Sequence, residues 1–307
     1  MSFRGRDIVT TEDLDRKDLL RILAVSADME KIVKRDRISD LLSKNMVAII
    51  FLEPSTRTML SFVSAANRLS AKIISVAGAK SSSAAKGESL ADTARTIEGY
   101  VDCIVIRQPQ IGGAQTVADS VDIPVINAGD GSGQHPTQAL LDMYTIQKEK
   151  GRLENLTVAM VGDLRFGRTV HSLSYALSHF NPTYIYCSPK ELAMPEHIVE
   201  DMKERAVPLT ISNDLDDALQ ADIVYMTRIQ RERFEDPAEY EKLKGSYVLT
   251  GKHVARGKKD LLIMHPLPRV DEIAAEVDAL PNAAYFRQAH NGVYLRMALL
   301  ALVLGKA

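Results

Sequence analysis

The chain has 307 residues, 46% hydrophobic and 25% charged, a globular composition long enough for two domains of ordinary size. A formal net charge of −2 with no basic tract leaves no footprint for nucleic acid or an anionic membrane surface. Cys103 and Cys187, the only cysteines, both lie in apolar runs, which argues for core thiols in a reducing, cytoplasmic compartment and against a disulfide framework.

In chain order, Thr11-Glu12-Asp13 is expected to open a helix that places Leu19, Ile22, Leu23, Met29 and Val33 on one face. The apolar run Met46 to Leu52 predicts a buried strand. Glu53-Pro54-Ser55-Thr56-Arg57-Thr58 follows, and Met59 to Val63 has helical spacing, so three hydroxyls and a guanidinium stand where a strand hands over to a helix. Taken alone, that stretch reads either as a capped helix start or as a cradle for phosphate on the exposed N–H groups of a helix N-terminus. A second strand near Lys72 to Val76 leads to a loop of small and polar residues, Gly78 to Gly87. Next come a helix, the strand Cys103 to Arg107, another helix and the strand Val125 to Asn127. The glycine-rich segment Asn127 to Gln134 ends this half. His135-Pro136-Thr137-Gln138 then starts a long helix with proline in its first turn.

A second alternating series follows, with strands at Thr157 to Val161, Tyr184 to Cys187, Leu209 to Ile211, Ile223 to Met226 and Leu261 to Met264. Helices are expected from Arg168 to about Phe180, over Glu196 to Arg205, near Asp214 to Leu219, and as a buried terminal helix from Val293 to Leu304. The longest apolar stretch, Leu295 to Leu304, contains Arg296 and falls far short of a bilayer span, and no apolar leader is seen, so a soluble protein is expected. Alternating strands and helices imply parallel sheets covered on both faces. The expected fold is α/β, with two doubly wound parallel-sheet domains linked by interdomain helices. Residues 1–134 plus 286–307 would form one domain and residues 135–285 the other.

Ligands of open parallel sheets bind beyond the carboxyl ends of the strands. The polar residues of this chain collect there: Ser55-Thr56-Arg57, Arg107, His135 and Gln138, Arg168, Arg228 and Gln230, and His265-Pro266-Leu267-Pro268-Arg269. One arginine after one strand is usually a solvated loop residue. Recurrence at successive strand ends is not explained that way.

Five segments in the same order, Ser55-Thr56-Arg57-Thr58, Arg107-Gln108-Pro109, His135-Pro136-Thr137-Gln138, Val161 to Leu173 and His265 to Ile273, closely resemble the catalytic chains of the aspartate/ornithine carbamoyltransferase family, on its aspartate branch. The resemblance spans nearly the whole chain. It implies transfer of the carbamoyl group of carbamoyl phosphate to the α-amine of L-aspartate, an early step of pyrimidine synthesis, with no cofactor. It further implies that Ser55, Thr56, Arg57 and Thr58 hold the phosphate. Thr56, Arg107 and His135 would polarise the carbonyl, and Gln138 would accept from the carbamoyl amide. Arg168, Arg228, Gln230 and the backbone at Pro266 and Leu267 would bind aspartate. Lys86, with Ser82, would reach both substrates from a neighbouring subunit of a homotrimer, and some relatives pair such trimers with a separate zinc-bearing regulatory chain.

Other readings fit less well. Gly162 to Thr169 has P-loop spacing, but Arg168 stands where that motif needs lysine. An ornithine carbamoyltransferase is the nearer alternative, yet the cysteine usual in its version of His265-Pro266-Leu267-Pro268 and its Ser-Met-Gly loop are both missing. A scaffold that keeps only the fold would have no need of Arg57, Lys86, Arg107 and His135 together. The histidines show no His-Glu-x-x-His spacing, so no metal is expected.

Overall fold

Runs of β-branched residues become strands here, and the amphipathic segments between them become helices. The computed structural model describes residues 2–78, 87–234 and 236–307. The elements run α1 (Arg16–Arg35), β1 (Met46–Phe51), α2 (Thr56–Arg68), β2 (Lys72–Ala77), α3 (Leu90–Glu98), β3 (Cys103–Gln108), α4 (Gly113–Ala118), β4 (Val125–Asp130) and α5 (Pro136–Lys150). They continue with β5 (Thr157–Val161), α6 (Arg168–Leu177), β6 (Thr183–Cys187), α7 (Glu196–Glu204), β7 (Leu209–Ser212), α8 (Leu215–Ala218) and β8 (Ile223–Met226). The chain closes with α9 (Pro237–Leu243), α10 (Gly251–Val254), β9 (Leu262–Met264) and α11 (Tyr285–Val303).

The strands form two wholly parallel sheets, ordered β2-β1-β3-β4 and β7-β6-β5-β8-β9. In the first, successive connections leave β1 and β3 in opposite directions; in the second the reversal falls between β5 and β8. These are the two topological switch points, where a crevice opens beyond the strand ends. Central strands read as unbroken apolar runs because both faces are covered. β3 and β4 are buried along their whole length, whereas the edge strand β2 is largely exposed. The first core packs Ala48 and Ile50 of β1 with Ile104 and Ile106 of β3, Val125 of β4 and Val117 of α4. The second packs Ala159 and Val161 of β5, Val224 and Met226 of β8, and Ile263 of β9. Cys103 and Cys187 are buried free thiols, and burial pushes the Cys187 thiol up to about 11.

Two compact units result, residues 1–144 with 290–307, and residues 145–289. The borders fall inside α5 and α11, whereas the expected division keeps α5 whole in the second domain and parts α11 after its first residue, Tyr285.

Several elements differ from expectation. Helix α1 begins at Arg16, after turns at Thr11 to Asp13, because Asp15 accepts from the Asp18 N–H (2.8 Å) and Asp18 accepts in return from the Asp15 N–H (3.4 Å). This reciprocal cap sets the start. Strand β4 runs on to Asp130 through a register shift opposite Ile106 and Gln108, and Asp130 then accepts from the Gly112 N–H (3.0 Å) and the Gln134 N–H (2.7 Å). Helix α11 starts eight residues before Val293, since Gln288 and Asn291, polar in sequence, are buried within it.

Replacing Ile104, fully buried between β1 and β4, by alanine is expected to destabilise the chain by about 2–5 kcal/mol through lost transfer energy and a cavity. The same change at Ile38, 60% exposed, is expected to have little effect. Urea unfolding midpoints of the two variants check this.

Candidate active site

The first switch point is built from the ends of β1 and β3. Phe51 of β1 stands opposite Arg107 of β3, and the Leu52 N–H donates to the Arg107 carbonyl (2.8 Å). The chain therefore leaves β1 beside Arg107 and enters α2 at Thr56. Ser55 is the N-cap residue, in an extended conformation (φ −161°), and its side chain makes no capping bond. The first turn of α2 holds no acidic residue. A capped helix start is thus not what this stretch forms. The backbone N–H groups of the first turn, the Thr56 and Thr58 hydroxyls and the Arg57 guanidinium share one helix end with its partial positive charge, a ready site for a phosphate. Thr56 and Arg57 are exposed, Ser55 is half-buried and Thr58 is buried.

Arg107 is 7% exposed. A guanidinium so placed needs acceptors. It donates to the Ala128 carbonyl of β4 (3.2 Å) and pairs with Glu53 (3.3 Å), which stands at the end of β1. His135 and Gln138, both buried, flank the start of α5. The Gln138 amide nitrogen donates to Asp142 one turn on (2.8 Å), which orients the amide with its oxygen as the remaining acceptor. All these groups belong to the first unit.

The second switch point has the same logic in the second unit. Gly162 follows β5 with φ +111°, and a Cβ there would lie 2.5 Å from the Thr227 carbonyl, so only glycine lets the two strand ends approach this closely. Arg168 is the first residue of α6. Arg228 and Gln230 follow β8, and both are half-buried. The loops are tied by Asp163, fully buried, which accepts from the Phe166 N–H (2.9 Å) and the Gln230 N–H (3.3 Å), and by the Gln230 side chain donating to the Phe166 carbonyl (3.0 Å). Burial pushes the Asp163 carboxyl above the usual range, only partly offset by these backbone donors and by Arg228. Arg228 is forked onto Glu232, four residues on, with Nη1 3.1 Å from Oε2. Burial is the largest influence on the Glu232 carboxyl and pushes it up, but the Arg228 hydrogen bond, a backbone donor and the charges of Arg228 and Arg233 together outweigh it and the net shift is downward.

The third strand end of that unit is shaped by His265. Its Nδ1 accepts from the Leu267 N–H (2.8 Å), so its Nε2 carries the hydrogen and donates to Glu272 (2.6 Å). The His265 N–H in turn donates to Gln288 of α11 (2.9 Å). Leu267 is thereby held in the left-handed region at φ +54°, a strained conformation for a branched side chain. Pro266 and Leu267 are half-buried in this turn.

Of the residues singled out in the sequence, Ser55 to Thr58, Arg107, His135 and Gln138 lie at strand ends of the first unit, and Arg168, Arg228, Gln230, Pro266 and Leu267 at strand ends of the second. Ser82 and Lys86 lie outside the described residues. Sequence reasoning missed the carboxylates around these residues: Glu53 and Glu232, which pair with arginines, and Asp163, which ties two loops together. Only Glu232 has a local signal, its four-residue spacing from Arg228. Among the described residues, no cluster of three or more His, Cys, Asp or Glu side chains could hold a metal ion, and no helix is long and apolar enough to cross a membrane.

Residues 6–148 match the family model for the aspartate/ornithine carbamoyltransferase carbamoyl-P binding domain, and residues 154–303 the model for the Asp/Orn binding domain. The aspartate carbamoyltransferase catalytic subunit of Methanopyrus kandleri is 50% identical over 306 residues, 99% of each chain. Aspartate transcarbamoylase from Trypanosoma cruzi, solved with carbamoyl phosphate and aspartate, superposes with a TM-score of 0.93 at 35% identity over 98% of each chain. The catalytic subunit of the Methanocaldococcus jannaschii enzyme gives 0.90 at 48% identity, again over 98% of each chain.

The His265–Glu272 contact predicts a pH dependence. Burial pushes the Glu272 carboxyl up, but the His265 hydrogen bond and the backbone donor of Val270 outweigh it, so its folded pKa lies below the ordinary 4.5. A depressed carboxylate stabilises the fold fully above its unfolded pKa and loses that contribution as pH falls through the folded value. Glu272→Gln is therefore expected to unfold more readily than the wild type at neutral pH, with the difference shrinking as pH drops below about 4. Thermal unfolding of both proteins across that range checks it.

Proposed function

The chain belongs to the aspartate/ornithine carbamoyltransferase family, and from that premise we propose how its residues divide the work of the reaction. It transfers the carbamoyl group of carbamoyl phosphate to the α-amino group of L-aspartate, giving N-carbamoyl-L-aspartate and phosphate, in pyrimidine biosynthesis. The observation that carries the division of roles is that the uncapped start of α2 follows β1, whose Phe51 stands opposite Arg107 of β3, while Arg107, Thr58, His135 and Gln138 are all buried in the same unit.

In this reading the phosphate dianion rests on the first turn of α2, held by Ser55, Thr56, Arg57 and Thr58. Thr56, Arg107 and His135 aim donors at the carbonyl oxygen and stabilise the oxyanion that forms as the amine attacks. Arg107 is suited to this because Glu53 and the Ala128 carbonyl fix its fork before substrate arrives. Gln138, its nitrogen committed to Asp142, accepts from the carbamoyl amide. In the second unit Arg168 and Arg228 take the carboxylates of aspartate, with Gln230 and the carbonyls of Pro266 and Leu267 on its polar groups. The attacking amine must shed a proton. The leaving phosphate, released as the C–O bond breaks, is the nearest strong acceptor, so no protein nucleophile or base is required. Holding each anion in a set orientation on preorganised cations supplies much of the acceleration.

The same reading makes the working enzyme a cytoplasmic homotrimer in which Ser82 and Lys86 enter a neighbouring subunit's site. Arg57→Ala is expected to lower kcat by about 10²–10³-fold, the usual effect of removing one oxyanion or phosphate donor. Mixing and reassembling Arg57→Ala with Lys86→Ala subunits should restore part of the activity. No recovery despite proven subunit exchange would sink the shared site. Turnover with ornithine in place of aspartate would contradict the substrate assignment.

A further inference from the structure

His171 is a buried imidazole of the second unit to which the division of roles above gives no task. It stands in α6 three residues after Arg168 and is 7% exposed. Its Nε2 lies 2.6 Å from the Leu164 carbonyl oxygen, and a carbonyl can only accept, so Nε2 carries the hydrogen and donates. Burial lowers the imidazole pKa to about 4, the Leu164 carbonyl opposes the shift and His197 adds to it, so the ring is neutral at pH 7.

The start of α6 has no other side chain to fix it. Its N-cap residue is Gly167, where a Cβ would fall 2.4 Å from the Asp163 carbonyl oxygen, so a capping serine or aspartate has no room there. Leu164, fully buried, is instead held on both sides: its N–H donates to the Leu192 carbonyl (3.0 Å) and its carbonyl receives His171. Within the turn, the Phe166 N–H donates to the Asp163 carboxylate (2.9 Å) and the Arg168 N–H to the Phe166 carbonyl (3.0 Å). Arg168 therefore lies inside the ring of chain, Leu164 to His171, that the imidazole closes. An apolar side chain could fill the same space, but it would leave a buried carbonyl without its donor. We propose that His171 is a positioning residue for aspartate: its bond to the Leu164 carbonyl closes the turn between β5 and α6 and so sets the orientation in which Arg168 meets a carboxylate of the substrate.

The inference rests on the reading that Arg168 binds aspartate, and the test keeps the two apart. Steady-state kinetics of the full-length enzyme are measured with each substrate varied in turn. His171→Phe keeps a ring and removes the donor. It is expected to raise the KM for aspartate about tenfold, the worth of one oriented hydrogen bond, while the KM for carbamoyl phosphate stays as it was. The amide nitrogen of His171→Gln reaches the place of Nε2 and is expected to restore an aspartate KM close to the wild-type value. His171→Asn, one methylene shorter, is expected to behave as His171→Phe does. Both amide variants keep a polar head, so their contrast decides the matter even if His171→Phe fails to fold. Arg168→Ala alone is expected to raise the aspartate KM roughly a hundredfold, the loss of a charge-assisted fork. Adding His171→Phe to it should change nothing further, because a role exerted through Arg168 disappears with that side chain. An unchanged aspartate KM in His171→Phe and His171→Asn, an equal rise in the Gln and Asn variants, or a full further rise on top of Arg168→Ala would overturn the positioning role. If Arg168→Ala leaves the aspartate KM unchanged, the assignment of Arg168 fails, and this inference with it.

Discussion

The charge of Arg107 is the constraint on which the first unit is arranged. A guanidinium with so little exposure is tolerated only with acceptors close by, and the parallel pairing of β1 and β3 supplies one of them. It brings Glu53 from the end of one strand within reach of a side chain from the end of the other, while β4 supplies a backbone carbonyl. The same pairing sets where the chain leaves β1, and hence where α2 begins. A buried cation and an uncapped helix start become neighbours through sheet register alone. A fixed positive site of that kind needs no reorganisation when a carbonyl becomes an oxyanion.

The second unit solves a related problem with carboxylates. Arg228 is held by Glu232, and the loop that carries it is pinned by Asp163, whose burial is only partly offset by backbone donors. Gly162 lets the two strand ends close to a distance no other residue permits. At the next strand end, His265 and Glu272 hold Leu267 in a left-handed turn. At the Asp163 and His265 turns a buried polar partner fixes backbone beside a residue assigned to aspartate. The geometry on that side is thus carried by hydrogen bonds and not by apolar packing.

How far the sequence reveals this follows from the reach of each signal. Strands such as Ile223–Met226 were legible to the residue because an unbroken apolar run between turns has one reading in a parallel sheet. The start of α1 was not, since Thr11-Glu12-Asp13 and Asp15 to Asp18 are both sound starting signals and only the reciprocal bond chooses. The early turns of α11 look like loop because burial of Gln288 and Asn291 depends on groups far away in sequence, such as His265. At the site, the cations could be found by their recurrence after strands, a pattern of order. Their partners could not, because Glu53 meets Arg107 only once β1 and β3 are paired. Arg296 was visible as an interruption in an apolar run, but that its guanidinium rests on Ser61 and Phe62 of α2 is known only from the fold.

The central claim is that phosphate sits on the first turn of α2 with the reacting carbonyl facing Arg107. Electron density for phosphonoacetamide bound to the crystalline protein tests it most directly. The account predicts the phosphonate among the N–H groups and side chains of Ser55 to Thr58, with the carbonyl oxygen in hydrogen-bond range of Arg107 and His135 and the amide nitrogen at Gln138. A phosphonate bound elsewhere, or an amide turned away from Gln138, would contradict it.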